Sequence, residues 1–174
     1  IAVMNDRSPA PRNRSVRLNT EEEALYLARC LLPRDINGGG GKIENRTVFG
    51  DMNTVVPSLP ASFVDLLFLD PPYNLDKKFG TRRFSGRDID EYENLFTQWM
   101  EKLLPLLKPT ASVYVCADWR SSSAVERVLR RFFHLRNRIV WEREKGRGAK
   151  RNWKNSSEDI WFATVSADYY FDVE

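Results

Sequence analysis

An acid, two prolines and a tyrosine directly follow an apolar run in the stretch LLFLDPPYNLDKKFG, residues 66–80. Proline cannot donate to a β-ladder and holds φ nearly fixed, so Pro71 and Pro72 are expected to end a strand in a stiff turn. Asp70 and Tyr73 are therefore predicted to lie at the carboxyl end of that strand. Open α/β sheets bind their ligands at that edge.

The residue types in this turn suit the binding of an amino group on a flat ring. The Asp70 carboxylate and the Pro71 carbonyl can both accept hydrogen bonds from one NH2 group, and Pro72 adds no competing N–H donor. The ring of Tyr73 offers a face on which a planar base can stack. A nucleobase that is flipped out of its duplex presents this combination. The alternative is an ordinary turn, but the strand before it and the basic residues after it favour a functional site.

Two basic segments are candidates for contacts with the phosphates of a nucleic acid. The first lies just beyond the turn and contains Lys77, Lys78, Arg82 and Arg83. The second, WEREKGRGAKRNWK at 141–154, carries six Lys/Arg against two Glu, and its candidate contacts are Arg147, Lys150, Arg151 and Lys154. The net charge of the chain is only +3, so it is the local distribution of charge that favours a polyanionic partner. A solvated surface loop is the alternative for the second segment.

The elements that must position these residues alternate between strands and helices. VDLLFLD (64–70) is almost continuously apolar, as in a central strand covered on both faces, and ASVYVCAD (111–118) is a second buried strand. The apolar spacing between them predicts a helix over 87–109. Another helix, SSSAVERVLRRFF, precedes two strand-like runs that can pair through the basic loop. The predicted fold class is α/β, a doubly wound sheet with a C-terminal β-hairpin.

The amino-terminal part of the chain has a different pattern. Residues 1–18 lack periodicity and are predicted to form a mobile arm, and a helix with a capping box of Thr20 and Glu23 follows. The glycine run 38–41 lacks the spacing of a phosphate-binding loop and indicates a linker. The predicted domains are therefore 1–41 (arm, helix and Gly-rich linker) and 42–174, which contains the turn at Asp70.

Composition excludes several other classes of protein. A chain of 174 residues that is 42% hydrophobic can form one domain with a proper core. The single histidine and two distant cysteines suggest neither a metal centre nor a disulfide framework. No apolar run approaches the length of a membrane span, and the amino terminus lacks the apolar core of a signal peptide. A cytoplasmic protein without a metal or a membrane partner is expected.

The motif Asp70-Pro71-Pro72-Tyr73, followed by Asn74, resembles the (Asp/Asn/Ser)-Pro-Pro-(Tyr/Phe) motif of the amino-directed (N6-adenine/N4-cytosine) DNA methyltransferases. The resemblance runs from about residue 42 to the end and includes GDMNTVV ahead of the motif. The segment WEREKGRGAKRNWKNSSEDIWFATVSADYYF is similar to the loop and hairpin that follow the motif in the β subgroup. The resemblance implies a Rossmann-like methyltransferase sheet of which 42–174 is the catalytic half.

The resemblance also implies a cofactor, a partner and roles for individual residues. S-adenosylmethionine would be the cofactor and double-stranded DNA the partner. Asp70 and the Pro71 carbonyl would bind the target amino group, Tyr73 would stack on the base, and the amine nitrogen would attack the methyl group directly. Asp70 and Asp51 would lie near the cofactor, a turn cap being the alternative for Asp51. Trp153 would line the base pocket or pack on the hairpin.

The cofactor-binding half of the family, with its Phe-x-Gly-x-Gly-like loop, is not found in these residues. The chain is therefore predicted to be a fragment or one subunit of a split enzyme, with a partner chain or a second copy in a homodimer supplying that half. Site-specific N6 methylation of adenine, of the restriction-modification or regulatory type, is preferred because aspartate comes first in the motif. The alternatives are N4 methylation of cytosine, a non-catalytic DNA-binding or partner-requiring subunit, and methylation of RNA or of a protein amide.

Overall fold

The computed structural model describes residues 18–36, 43–74, 77–79, 82–147, 151 and 153–173, and for 77–79, 82–84 and 144–147 it gives the backbone alone. The helices are α1 (Thr20–Leu27), α2 (Pro33–Ile36), α3 (Met52–Val55), α4 (Ile89–Leu103) and α5 (Ser122–Phe132). The strands are β1 (Val64–Leu69), β2 (Lys77–Phe79), β3 (Arg82–Phe84), β4 (Leu107–Ala117), β5 (His134–Arg147) and β6 (Asn155–Thr164). Two compact units divide between Pro60 and Ala61. The predicted glycine linker and nearly all of the predicted arm lie outside the described residues.

Four strands of the second unit form one mixed sheet in the order β1-β4-β6-β5. β1 and β4 are parallel, whereas β6 runs antiparallel to both β4 and β5. A parallel pair requires a crossover connection, and α4 lies in it. The predicted α/β sheet and its C-terminal β-hairpin, β5–β6, are confirmed. β2 and β3 pair separately as a two-stranded antiparallel sheet that the sequence pattern did not predict.

Local chemistry sets both ends of α4. Asp88 is the N-cap, and its carboxylate accepts a hydrogen bond from the N–H of Asp90 at 2.9 Å. Pro105 lies in the 3-10 turn that follows the helix and prevents its continuation. The prediction of a helix as far as residue 109 was wrong, because Leu107 already pairs with Val64 in the sheet.

One face of the sheet, which we call the covered face, packs against the two long helices. Its central strand residues are fully inaccessible to solvent: Ala111, Val113, Val115 and Ala163 are all 0% exposed. The helices contribute side chains that are equally buried, namely Phe96 and Met100 of α4 and Val125, Val128 and Leu129 of α5. Apolar burial of this kind is the main favourable term in folding. The covered face is therefore the core of this unit.

An ionic contact joins the two helices beside this core. Glu93 of α4 is only 8% exposed. Its carboxylate bonds to Arg127 of α5, with Nη2 at 2.7 Å, and also to Arg131. A carboxylate this deeply buried is stable only when it is paired and hydrogen-bonded. The two arginines therefore fix α5 against α4.

The opposite face, which we call the open face, is only partly covered. Phe68, Tyr114 and Phe162 form a row of rings across it, with centroid separations of 6.5 and 4.7 Å. Phe171 from the carboxyl-terminal segment stacks on Phe162 at 5.8 Å. At the β1 end of the row Leu66 and Phe68 remain 59% and 57% exposed. Within the described residues β1 is an edge strand that pairs with β4 alone, and none of its residues is buried, so the expectation of a central strand covered on both faces was wrong.

The first unit contains α1 to α3. Asn19 is the N-cap of α1, and its side chain forms the capping box with Glu22, whose N–H donates to Asn19 Oδ1 at 2.8 Å. The predicted box of Thr20 and Glu23 was therefore wrong by one residue, because asparagine caps a helix at least as well as threonine. None of the helices in the described part of the chain is long and apolar enough to cross a membrane.

Candidate active site

Residues 70–73, which we call the acceptor turn, leave β1 at the carboxyl end of the parallel pair. Leu69 pairs with Val115, so the turn begins beside the last residues of β4. Asp70 is exposed, Pro71 is buried and Tyr73 is half-buried. The carboxylate predicted to accept hydrogen bonds thus lies in solvent at the rim where such sheets bind ligands.

The two ends of the acceptor turn contact each other. The Tyr73 hydroxyl is hydrogen-bonded to the Asp70 carboxylate. Burial first, and then the charges of Asp70 and Glu158, raise the pKa of Tyr73 well above its ordinary value. Burial and the same two carboxylates raise the pKa of the Cys116 thiol in β4. Both groups are therefore neutral near physiological pH, and neither is suited to act as a base or a nucleophile.

A buried polar network holds the rim next to the acceptor turn. Asp118, directly after β4, accepts hydrogen bonds from the N–H and the hydroxyl of Ser121 at 2.9 and 2.5 Å. Ser122, at the start of α5, donates to Asp159 of β6 and accepts from the Trp161 indole N–H at 3.0 Å. The ends of β4 and β6 and the start of α5 are thereby tied together.

Two further contacts reach the acceptor turn from the α4 side. The carboxamide of Asn74 donates to the Arg87 carbonyl at 2.8 Å and accepts from the Arg87 N–H at 2.7 Å. The Tyr92 hydroxyl donates to the Pro72 carbonyl at 3.5 Å. The sequence pattern did not predict these contacts or the Glu158 carboxylate, because nothing in it shows which distant residues return to the turn. The one sequence feature that could have pointed to these contacts was Asn74, the asparagine directly after Asp70-Pro71-Pro72-Tyr73.

The first group of predicted phosphate contacts lies in the small hairpin. The backbones of Lys77 and Lys78 belong to β2 and those of Arg82 and Arg83 to β3, with Lys78 paired to Arg83. The backbone pairing thus brings the four residues together on one hairpin. Their side chains are not among the described atoms, so their contacts with DNA stay a prediction.

The second group surrounds the connection between β5 and β6. Arg147 is the last residue of β5 and is described by its backbone alone, and Lys150 falls outside the described residues altogether. Arg151 and Lys154 are exposed. Trp153 is 96% exposed, so its side chain packs against little of the described structure. A role for Trp153 in a base pocket stays a prediction.

Asp51 belongs to the first unit and is the N-cap of α3. Its carboxylate accepts hydrogen bonds from the Asn53 N–H at 3.0 Å and the Asn53 amide at 3.1 Å. The turn-cap alternative is therefore observed, and a place near a cofactor stays a prediction.

The chemistry that the acceptor turn offers is hydrogen-bond acceptance. The exposed Asp70 carboxylate can accept hydrogen bonds from a donor that approaches from solvent, and Pro71 and Pro72 contribute no competing N–H groups. Among the side chains that the structure describes, no three His, Cys, Asp or Glu are grouped so as to hold a metal ion. A donor with two N–H groups, such as an amine on a ring, matches the acceptor turn best.

The fold is similar to that of solved methyltransferases. The chain is similar to the PvuII DNA methyltransferase (cytosine-N4-specific), with a TM-score of 0.57 and 20% identity over 72% of this chain and 51% of that chain. It is also similar to a DNA modification methylase of Thermus thermophilus complexed with S-adenosyl-L-methionine, with a TM-score of 0.54 and 17% identity over 72% of this chain and 55% of that chain. The predicted methyltransferase sheet is thereby confirmed.

Sequence comparison identifies the family. Residues 64–174 match the family of N6/N4 DNA methylases, and the chain belongs to that family. The DNA adenine methyltransferase YhdJ of Escherichia coli is 29% identical over 135 residues, which cover 75% of this chain and 44% of the relative. The type II methyltransferase M.BglII of Bacillus subtilis is 31% identical over 137 residues, 73% of this chain and 37% of the relative. The chain thus spans less than half the length of these curated relatives.

Proposed function

We propose that this chain is the catalytic half of an S-adenosylmethionine-dependent DNA methyltransferase that acts on N6 of a flipped adenine. The observation that supports it best is the exposed Asp70 carboxylate at the carboxyl end of β1, with Pro71 and Tyr73 beside it. The family match begins at residue 64, the first residue of the strand that leads into the acceptor turn. A DNA substrate would place the reaction in the cytoplasm.

The residues of the chain would act by accepting hydrogen bonds and by alignment. One oxygen of Asp70 is held by the Tyr73 hydroxyl, which leaves the other oxygen and the Pro71 carbonyl for the two N–H groups of the target amine. S-adenosylmethionine, when bound, supplies a methyl group on a positively charged sulfur. The chemistry would be transfer of that methyl group to the amine nitrogen, with the electron pair of the broken carbon–sulfur bond leaving on sulfur and one amine proton lost to solvent. Acceptors placed where positive charge grows on nitrogen stabilise that transition state.

The described residues fit only part of a cofactor site. Asp70 is exposed and can reach a ligand in solvent, but the Asp51 carboxylate already caps α3. We propose that polypeptide outside these residues, as a partner chain or a second copy, supplies the rest. The open edge of β1 and the exposed Leu66 and Phe68 support this, since an unpaired strand edge and an apolar patch both favour association.

The proposal about the cofactor predicts weak binding by the isolated chain. Titration calorimetry with S-adenosylmethionine is expected to give no saturable heat at micromolar protein. A stoichiometric, micromolar complex with these 174 residues alone would contradict the need for a second half.

N4 methylation of cytosine is the second candidate. The same pair of acceptors can hold the amino group of either base, so the acceptor turn does not separate them. Aspartate at the first motif position favours adenine, and the Escherichia coli relative is named an adenine methyltransferase. The PvuII structure is that of a cytosine-N4-specific enzyme. Mass spectrometry of nucleosides from the methylated DNA decides between N6-methyladenine and N4-methylcytosine.

The test of the proposed function compares two aspartates of the same segment. Protein expressed from the complete gene is assayed for transfer of a labelled methyl group to duplex DNA, to RNA and to protein. Asp70→Ala is expected to lower the rate on duplex DNA by about 10²–10³-fold, the usual cost of losing an electrostatic stabiliser. Asp65→Ala is the matched control, because Asp65 in β1 is exposed and bonds only to Lys108 among the contacts described.

The outcomes separate the competing functions. Near-normal turnover by Asp70→Ala would overturn the catalytic role of the acceptor turn. DNA binding without methyl transfer by the wild-type protein would favour the non-catalytic DNA-binding subunit. Transfer to RNA or protein in preference to DNA would show that DNA is not the substrate.

Contacts between DNA and the connection from β5 to β6 are tested separately, through the salt dependence of DNA affinity. We replace four residues by alanine: Arg147, Lys150, Arg151 and Lys154. The slope of the logarithm of the DNA association constant against the logarithm of the salt concentration is expected to become flatter, because each lost phosphate contact lowers it by about one. An unchanged slope would show that this segment is a solvated surface loop that does not contact DNA.

A further inference from the structure

We infer that Asn74 and Tyr92 are positioning residues, which hold the acceptor turn against the first turn of α4 so that its acceptors point correctly. The inference rests on the proposed methyl transfer. Neither side chain needs to touch a substrate for this role. Asn74 acts at the exit of the turn and Tyr92 at its middle.

Asn74 forms the stronger of the two contacts. Its carboxamide exchanges two hydrogen bonds, of 2.8 and 2.7 Å, with the carbonyl and the N–H of one residue, Arg87. This is the pattern by which two residues pair in an antiparallel ladder, with a side chain in place of one backbone. The bridge joins the two residues that flank 75–86, the segment in which β2 and β3 lie. Asn74, the residue after Tyr73, is thereby held by Arg87 independently of the β2–β3 hairpin.

Tyr92 supports the turn one residue before Tyr73. Its side chain lies in the core, with only 2% of the residue exposed, and its hydroxyl reaches the Pro72 carbonyl at 3.5 Å. The same hydroxyl is hydrogen-bonded to Ser121, the residue that donates to Asp118. Tyr92 thus connects the acceptor turn to the polar network at the end of β4.

The support itself is rigid. Arg87 is followed directly by Asp88, the N-cap of α4, so the Asn74 bridge ends at the start of a helix. Tyr92 lies one turn further along that helix, and its neighbour Glu93 is held by Arg127 and Arg131. Pro72 of the acceptor turn is therefore tied to α4, and Asn74 is tied to the residue that precedes the N-cap of α4. The ion pairs of Glu93 hold α4 to α5.

Such bracing matters because the acceptors work only in one direction. The Asp70 carboxylate and the Pro71 carbonyl must both face the amine as its lone pair turns toward the methyl group. A displacement of the acceptors by about 1 Å can cost on the order of 10² in rate without loss of binding. Loss of the brace is thus expected to lower kcat while KM changes little.

The experiment uses Asn74→Ala, Asn74→Asp and Tyr92→Phe in protein expressed from the complete gene. Asn74→Asp keeps an acceptor for the Arg87 N–H but sets a carboxylate oxygen against the Arg87 carbonyl, so it is expected to behave like Asn74→Ala. We expect kcat to fall by about 10²-fold for the Asn74 variants and about tenfold for Tyr92→Phe, with KM nearly unchanged. Asn155→Ala is the matched control, because the Asn155 amide donates to the Ser157 carbonyl at 3.0 Å within β6.

A second measurement needs no activity. In the chain with 13C-labelled tyrosine rings, Asn74→Ala and Tyr92→Phe are expected to shift or broaden the Tyr73 resonances, while Asn155→Ala leaves them unchanged. Absence of methyl transfer by the wild-type protein would count against the proposed function, and the Tyr73 resonances would still decide the bracing. Unperturbed Tyr73 resonances, or a rise in KM at constant kcat, would overturn the inference. If the Asn74 variants fail to fold, Tyr92→Phe, which removes one oxygen and leaves no large cavity, tests the bracing by the same criteria.

Discussion

The two faces of the central sheet differ in how they are completed. On the covered face Val113 and Val115 are fully buried beneath α4 and α5. On the open face Leu66 and Phe68 expose more than half of their surface, although they are as apolar as their neighbours. A soluble monomer seldom leaves large apolar side chains grouped on an unpaired strand edge. The described residues therefore contain one complete hydrophobic core and one apolar surface that is suited to association.

The same division separates stability from function within the unit. The covered face is completed by helices of the chain itself. Tyr92 of α4 also supports the acceptor turn, and Arg87, just before α4, holds Asn74. The open face begins on β1, the strand that delivers Asp70. Whatever completes that face would therefore lie next to the proposed reaction site.

The largest effect is expected from a matched pair of phenylalanines. Phe96→Ala, on the covered face, is expected to lower the free energy of unfolding by about 3–5 kcal/mol, because it empties a fully enclosed volume. Phe68→Ala, on the open face, is expected to cost about 1 kcal/mol or less. Urea denaturation of both variants checks the comparison. Equal losses would show that the two faces do not differ.

A second pair tests the ionic contact between the helices of the covered face. Glu93→Gln removes the charge that holds Arg127 and Arg131 and is expected to cost about 1–3 kcal/mol. Glu126→Gln removes a more exposed pair with Arg130 within α5 and is expected to cost about 0.3–0.5 kcal/mol. Thermal and urea unfolding measure both. A larger loss for Glu126→Gln would contradict the assignment of Glu93 to the helix interface.

The pH dependence of stability provides a third test of the covered side. Burial, followed by the Asp118 charge, raises the pKa of Tyr92 to about 12 from an ordinary value of 10.0. The folded protein therefore holds this proton more tightly than the unfolded chain does. Its contribution to stability is complete below about pH 10 and is lost as the pH rises toward 12. Tyr92→Phe is expected to lose less stability over that interval than the wild type or Tyr170→Phe, a control at an exposed tyrosine, and equal losses in all three would contradict the shift.

The smallest effect on folding is expected at the open face. Phe68→Lys is expected to change the free energy of unfolding by about 0.5 kcal/mol or less, because the side chain already lies largely in solvent. The same change is expected to reduce binding of a hydrophobic dye and self-association in sedimentation velocity. A stability loss above about 2 kcal/mol would mean that Phe68 is packed, and the open face would then be part of the core.

The sequence by itself determined the strand before Asp70, the stiff turn after it and the antiparallel pair at the carboxyl end. These features depend on local chemistry: apolar runs, the missing N–H of proline and the spacing of helix positions. The family motif at Asp70–Pro71–Pro72–Tyr73 was also readable, and the family match confirms the assignment of the chain. One error, Thr20 in place of Asn19 as the cap of α1, was a choice between equivalent local solutions.

Only the tertiary structure decided what surrounds those elements. An apolar strand such as β1 looks the same in sequence whether one of its faces or both are covered, because burial depends on which elements pack there. The pairing of Asn74 with Arg87, and of Tyr92 with Pro72, joins residues 13 and 20 positions apart through the path of a hairpin and a helix. No periodicity encodes such a return of the chain. The acceptor turn could thus be predicted from its own residues, whereas the contacts that brace it exist only in the folded protein.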